Sequence, residues 1–202
     1  ESAGWEVKRG KIENRGIGIG VSAAQSGSAA IYPFGSAATM KLDPEGLITL
    51  FTGTIELGQA SDTAMCQIAA EELGVSLEDI NLVSADSELC PIDIGNFAMG
   101  GIHVTGEAVR LAAADVKRQL LERASKVLGI KLDESKVMNH GFYEKGTSKR
   151  LASFSEVLKT GPRDGSTIIG KGYCRGGPSR ESGGHTDANA FTVAVAEVEV
   201  NR

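Results

Sequence analysis

Aromatic side chains are scarce in this chain, with one Trp, three Tyr and six Phe amounting to 5% of 202 residues. A core built on large rings is therefore excluded, and the 26 glycines point instead to aliphatic packing with close backbone approach. Cysteine is scarce too. Cys66, Cys90 and Cys174 are odd in number and far apart, with no CxxC pair and no His at zinc-ligand spacing. That pattern predicts reduced thiols in a cytoplasmic protein and argues against a disulfide framework or a metal site. No apolar run approaches the roughly 18 residues needed to cross a bilayer, and the opening "ESAGWEVKRGKIENRG" lacks the apolar core of a secretory signal. Positive charge is in deficit. The formal net charge of -5 argues against nucleic acid or an anionic membrane as partner, since neither attracts a net anion.

What is there reads as an α+β pattern, with mixed or antiparallel strands packed against two main helices. Residues 1–14 are mixed and polar and read as an arm. In "RGIGIGVSAA", Gly16, Gly18 and Gly20 alternate with Ile and Val at period two, which is a strand with one face stripped for close packing. The GxGxxG spacing and the opening helix of a dinucleotide site are both missing. Residues 39–42 and 47–52 form a hairpin around "DPEG", with Pro at the second turn position. A helix over 61–73 follows, with Ser61 or Asp62 as its cap and Gly74 as its stop. Residues 79–86 are a strand and 87–104 a Gly-containing loop.

A long helix over about 105–128 presents Val109, Ala112, Val116, Leu120, Ala124 and Val127 on one face; Lys117, Arg118, Glu122, Arg123 and Lys126 read as its solvated side. Beyond it come short strands, a short helix near 153–159, a Gly, Ser and Pro loop over about 175–189, and an alternating strand over 190–200. A single domain is expected. The start without Met and the strand-like end suggest a fragment of a longer polypeptide.

Two junctions share one design, a Gly turn leading into a helix: Leu57-Gly58-Gln59 before 61–73, and Ala98-Met99-Gly100-Gly101 before the long helix. Helix starts present free N–H groups and a positive dipole end, and glycine lets a ligand approach the backbone, so such turns suit phosphate or another anion. The same turns also serve as plain connections. The Gln59 carboxamide both donates and accepts, which suits a heterocycle, an oxo ligand or the helix cap. Glu56, Asp62, Asp86 and Asp93 are acid or base candidates by residue type alone. His103 and His185 have no partner cluster in the sequence, and His140 beside Gly141 reads as a turn residue.

As an ordered set, "TIELGQASDTAMCQIAAEELG", "ADSELCPIDIG" and "GEAV" resemble the molybdenum-cofactor domain of the xanthine dehydrogenase and aldehyde oxidase family. The similarity runs over about residues 15–124 and more faintly to the final strand. It implies a molybdopterin-type molybdenum cofactor and an oxidoreductase that hydroxylates aldehydes or N-heterocycles or acts on aromatic CoA thioesters. It further implies iron-sulfur and flavin domains or subunits, the rest of the molybdenum subunit and a small-molecule substrate as partners. By the same resemblance Leu57, Gly58, Gln59, Ala98, Met99, Gly100 and Gly101 border the cofactor.

Two departures stand out. Relatives continue the first turn as Gly-Gln-Gly, where this chain has Ala60, and many have Ala-Ser-Arg where this chain has Ala98-Met99-Gly100. The family's catalytic glutamate belongs to a Gly-rich motif nearer the C-terminus of the full subunit, and these 202 residues contain no such motif. No catalytic residue is assigned, and the isolated chain is expected to be inactive. The alternative is a structural subunit or domain that assists assembly of such an enzyme without catalysis.

Overall fold

The computed structural model describes residues 4–8, 13–26, 35–93, 95–97, 100–131, 135–160, 167–175 and 188–201. In chain order the elements are α1 (Trp5–Lys8), β1 (Arg15–Ser26), β2 (Gly35–Leu42), β3 (Ile48–Thr52), α2 (Ser61–Leu73), β4 (Ile80–Ser84), α3 (Gly106–Leu128), β5 (Ser135–Met138), β6 (Gly141–Glu144), β7 (Arg150–Ser153), α4 (Phe154–Thr160), β8 (Ile168–Arg175) and β9 (Ala188–Glu199). A π-helical turn, Gly101–Thr105, leads directly into α3.

The main sheet has the order β4-β3-β2-β8. β2 and β3 form the expected hairpin, and its turn is closed by the Asp43 carboxylate, which accepts from the Glu45 and Leu47 amides. β3 then pairs in parallel with β4, a geometry that requires the α2 crossover. Apolar residues on one face of the hairpin, Met40, Leu42, Ile48 and Leu50, are fully buried together with Met65, Ala69 and Leu73 of α2 and Val109, Ala112, Val116 and Leu120 of α3. The α+β expectation with two main helices therefore holds.

What brings α3 close to the sheet is the absence of side chains at Gly170 and Gly172 of β8. A Cβ at Gly172 would overlap the Ala108 carbonyl, and one at Gly170 the Ala112 carbonyl. Helix backbone and strand backbone are in direct contact. β8 is also an edge strand, and α3 side chains satisfy its outward groups: the Lys171 amide donates to Asp115 Oδ2 at 3.2 Å, and Gln119 Nε2 donates to the Ile169 carbonyl at 2.9 Å. The polar side of α3 is thus not simply solvated. Lys117 Nζ donates to the Glu72 carbonyl in the last turn of α2 at 2.7 Å, and Arg123 Nη2 to the Leu158 carbonyl of α4 at 3.1 Å.

β5, β6 and β7 form a smaller antiparallel sheet whose Phe142 ring lies 5.6 Å from that of Phe154 on α4. Asn139 and His140 both take positive φ in the β5-β6 turn, as a tight hairpin requires, so His140 is a turn residue, with Nε2 2.7 Å from Asp79 Oδ2.

The third unit is a ribbon in which β1 and β9 pair over twelve positions, from Arg15 opposite Glu199 to Ser26 opposite Ala188. Here the glycine expectation is corrected. A Cβ at Gly18 or Gly20 would meet nothing within 4 Å, so among the described residues the period-two stripe serves no close approach. Instead Val21 is 72% and Phe191 76% exposed. Within the 1–14 arm, Trp5–Lys8 is a helical turn and Lys8 pairs with Glu197 at 2.7 Å. Most of the expected 175–189 loop, residues 176–187 with His185, lies outside the described residues. Among the described residues, no helix is long and apolar enough to cross a membrane.

The two glycine sites make opposite predictions. Gly172→Ala should lower stability by about 1–3 kcal/mol, because backbone atoms cannot yield to the added methyl group. Gly18→Ala should change it by less than about 0.5 kcal/mol. Urea denaturation of the two variants checks both, and equal effects would contradict the packing described.

Candidate functional site

Residues 53–60 join β3 to α2, and the Leu57, Gly58 and Ala60 amides and the Ile55 carbonyl are bonded by the side chains of Glu56 and Gln59. Ser61 and Asp62 do not cap α2. The residue at the cap position is Ala60, with φ 59° and ψ 34° and no side-chain capping bond, and Asp62 Oδ1 is a buried oxygen without a hydrogen-bond partner. The capping role falls to Glu56. Its Oε1 accepts from the Gly58 amide at 2.6 Å and the Ala60 amide at 3.0 Å; its Oε2 accepts from the Asp62 amide at 3.2 Å and the Ser61 hydroxyl at 3.3 Å. A carboxylate at this end also complements the helix dipole.

Partial desolvation pushes the Glu56 carboxyl up, but the amides of Asp62, Gly58 and Ala60 and the Ser61 hydroxyl outweigh it and hold the group below its ordinary value. The amides that the sequence suggested as an anion cradle are therefore engaged by an internal anion.

Gln59 neither caps α2 nor hangs free. Its Oε1 accepts from the Leu57 amide at 2.6 Å and its Nε2 donates to the Ile55 carbonyl at 3.0 Å. One amide proton and one lone pair of this carboxamide remain beyond those two bonds. Leu57, Gly58, Gln59 and Ala60 are all exposed, and the space beside Gly58, at φ 99°, is open where a Cβ would stand.

The second junction is corrected in kind. Gly100 is already helical, with φ -64° and ψ -23°, and Gly101 opens the π-helical turn, so the helical stretch begins before residue 105 and the two glycines belong to it. Ala98 and Met99 lie outside the described residues. Gly101 is buried against the other junction, where a Cβ would overlap Asn96 Oδ1 and approach Thr54 Oγ1 at 3.6 Å.

Asn96 is the clasp between the two. It accepts from Thr54 Oγ1 at 2.8 Å and donates to the Ile55 carbonyl at 2.7 Å, the same carbonyl that Gln59 and Ser61 reach. Behind it, Asp93 Oδ2 accepts from Ser36 Oγ at 2.6 Å and Thr105 Oγ1 at 2.9 Å, while Oδ1 accepts from the Gly95 amide at 2.7 Å. Asp93 is thereby fastened to β2 through Ser36 and to the start of α3 through Thr105.

Of the acid or base candidates, Glu56 and Asp93 are engaged in these bonds, and Asp86 accepts from the Glu88 and Leu89 amides of its own turn. His103 lies in the π-helical turn. Asn96, Thr54, Ser36 and Thr105 escape sequence reasoning because their partners are distant in the chain. Glu56 had a usable signal, an acidic residue just ahead of a helix start. Among the described residues no three His, Cys, Asp or Glu side chains converge as a metal site, and burial, followed by Asp62, pushes the Cys66 thiol up.

The exposed Gly-Gln turn at the start of α2 thus lies beside the helical start at Gly100 and Gly101, with Asn96 between them. The family of molybdopterin cofactor-binding domains matches residues 1–202, and the chain belongs to it. It is 30% identical over 159 residues to the 6-hydroxypseudooxynicotine dehydrogenase complex subunit gamma of Paenarthrobacter nicotinovorans, covering 78% of this chain and 20% of that protein. It is 31% identical over 134 residues to the putative xanthine dehydrogenase molybdenum-binding subunit of Escherichia coli K12, covering 61% and 17%. Its fold resembles the crystal structure of quinoline 2-oxidoreductase from Pseudomonas putida 86, with a TM-score of 0.75 and 21% identity over 98% of this chain and 27% of that one. The chain thus spans about a fifth of the length of these curated relatives.

Two tests follow from the loop geometry. Ala60→Gly should leave stability unchanged or raise it by up to about 1 kcal/mol, because alanine is strained at positive φ, whereas Ala64→Gly within α2 should cost about 1 kcal/mol; thermal unfolding distinguishes them. Because the Glu56 pKa is depressed on folding, its contribution is complete above the titration range of an unfolded carboxyl and is lost as pH falls through the depressed value. The Gly58 and Ala60 amide resonances should titrate with a midpoint below that of a free glutamate. A midpoint at or above that of free glutamate would contradict the bonding described.

Proposed function

We propose that this single domain is part of the molybdenum-binding subunit of a molybdenum-pterin-dependent oxidoreductase that hydroxylates aldehydes or N-heterocycles, or acts on aromatic CoA thioesters. Leu57, Gly58 and Gln59 border the pterin, and Ala98, Met99, Gly100 and Gly101 flank it from the second junction. The observation that carries this reading is the exposed turn with open space beside Gly58 and a half-used carboxamide at Gln59. A pterin edge offers both donors and acceptors, which fits that carboxamide. When bound, the molybdenum cofactor supplies the redox step. The residues here would hold and orient it, and the catalytic glutamate would come from elsewhere in the subunit, leaving the isolated chain inactive.

The remainder of the subunit is the first partner this reading requires, and the exposed apolar residues of the β1-β9 ribbon, Ile19, Val21, Phe191 and Val193, are the surface it would cover. Iron-sulfur and flavin domains or subunits would pass electrons onward, and a small molecule would be the substrate. The free thiols of Cys66, Cys90 and Cys174 support a reducing compartment, the cytoplasm.

A second reading, a structural domain without catalysis, draws on the engagement of the Gly58, Ala60 and Asp62 amides by Glu56. Cofactor content separates the two. In the full-length subunit, Gln59→Ala should lower molybdenum and pterin retention by up to about tenfold, the effect of one lost hydrogen bond. Full content after disruption of both Gly junctions would favour the structural reading.

A further inference from the structure

The two loop amides that Glu56 holds lie on either side of Gln59. One oxygen, Oε1, accepts from both Gly58 and Ala60, so the chain between them must loop out with residue 59 at its tip. The other oxygen holds Asp62 and Ser61, which fixes the first turn of α2 behind that tip. A glutamate acting only on the helix dipole would need the helix-side bonds alone. Here a single carboxylate spans the left-handed Ala60 and imposes the shape of the whole turn.

We propose that Glu56 is the positioning residue of the cofactor turn, standing at the start of α2 where an anionic ligand would otherwise sit and setting the form in which Leu57, Gly58 and Gln59 meet the pterin. The proposal rests on the reading that this turn borders the cofactor. It adds that the Gly58, Ala60 and Asp62 amides serve Glu56 and not the cofactor's phosphate.

The test uses the full-length subunit with its partners, compares Glu56→Ala, Glu56→Gln and Gln59→Ala, and measures molybdenum and pterin per subunit alongside thermal unfolding. Glu56→Ala should lose about as much cofactor as Gln59→Ala, roughly tenfold. Glu56→Gln should recover most of it, because a carbonyl oxygen can still accept from Gly58 and Ala60. Formate, a small carboxylate able to enter the vacated position, should raise the cofactor content of Glu56→Ala on reconstitution and leave Gln59→Ala unchanged.

Normal content in Glu56→Ala together with loss in Gln59→Ala would overturn this proposal alone. Normal content in both would overturn the cofactor reading of the turn and this proposal with it. Equal loss in both Glu56 variants, with lowered unfolding temperature and no response to formate, would reduce Glu56 to a stabilising residue and also overturn the proposal.

Discussion

The contact of the α3 backbone with the β8 backbone, at Gly170 and Gly172, is the constraint from which the site follows. Two missing side chains let the helix lie close, and Ala108 and Ala112 supply the small surface that meets them. That contact fixes the height and direction of α3, and with them the position of the π-helical turn at its start. Thr105 then reaches Ser36 and Asp93, Asp93 holds the Gly95 amide, and Asn96 reaches the Ile55 carbonyl. The packing near the start of α3 is thus linked through these bonds to the Ile55 carbonyl, which Gln59 also reaches.

The turn itself is ordered by bonds within its own stretch of chain. The Leu57, Gly58 and Ala60 amides find partners within the same short stretch, and the Ile55 carbonyl is reached by Gln59, Ser61 and Asn96. Glycine at 58 keeps the approach open. The left-handed Ala60 stores strain at the junction with the helix, and strain of this sort persists only where surrounding bonds over-determine the backbone; Glu56 and the α2 helix supply them here.

Elements with local causes were legible in the sequence. The hairpin at Asp43, the helix stop at Gly74 and the apolar face of α3 each depend on residues within a few positions of one another, and each stands where periodicity and turn chemistry put it. The cofactor family was legible from the order of motifs, confirmed by a match over residues 1–202. Among the described residues no close neighbour reaches Gly18 or Gly20, because a glycine stripe signals possible close packing but does not say which neighbour arrives. The stripe that a helix does meet, Gly170 and Gly172, follows the same period and carries no stronger local sign.

By itself, then, the sequence determined the central hairpin, the two main helices, the apolar face of α3 and the type of domain, because propensity, hydrophobic period and motif order act over short stretches of chain. Only the tertiary structure decided which glycines admit a helix, that Lys117 and Arg123 bind neighbouring carbonyls, and that Asn96 clasps one junction to the other. It also gave the α2 start to Glu56, since a helix N-terminus accepts any acceptor with suitable geometry and a capping pattern cannot say which one arrives. Partners separated by some forty residues or more, as Thr54 and Asn96 are, meet only when the packing of α3 brings them together.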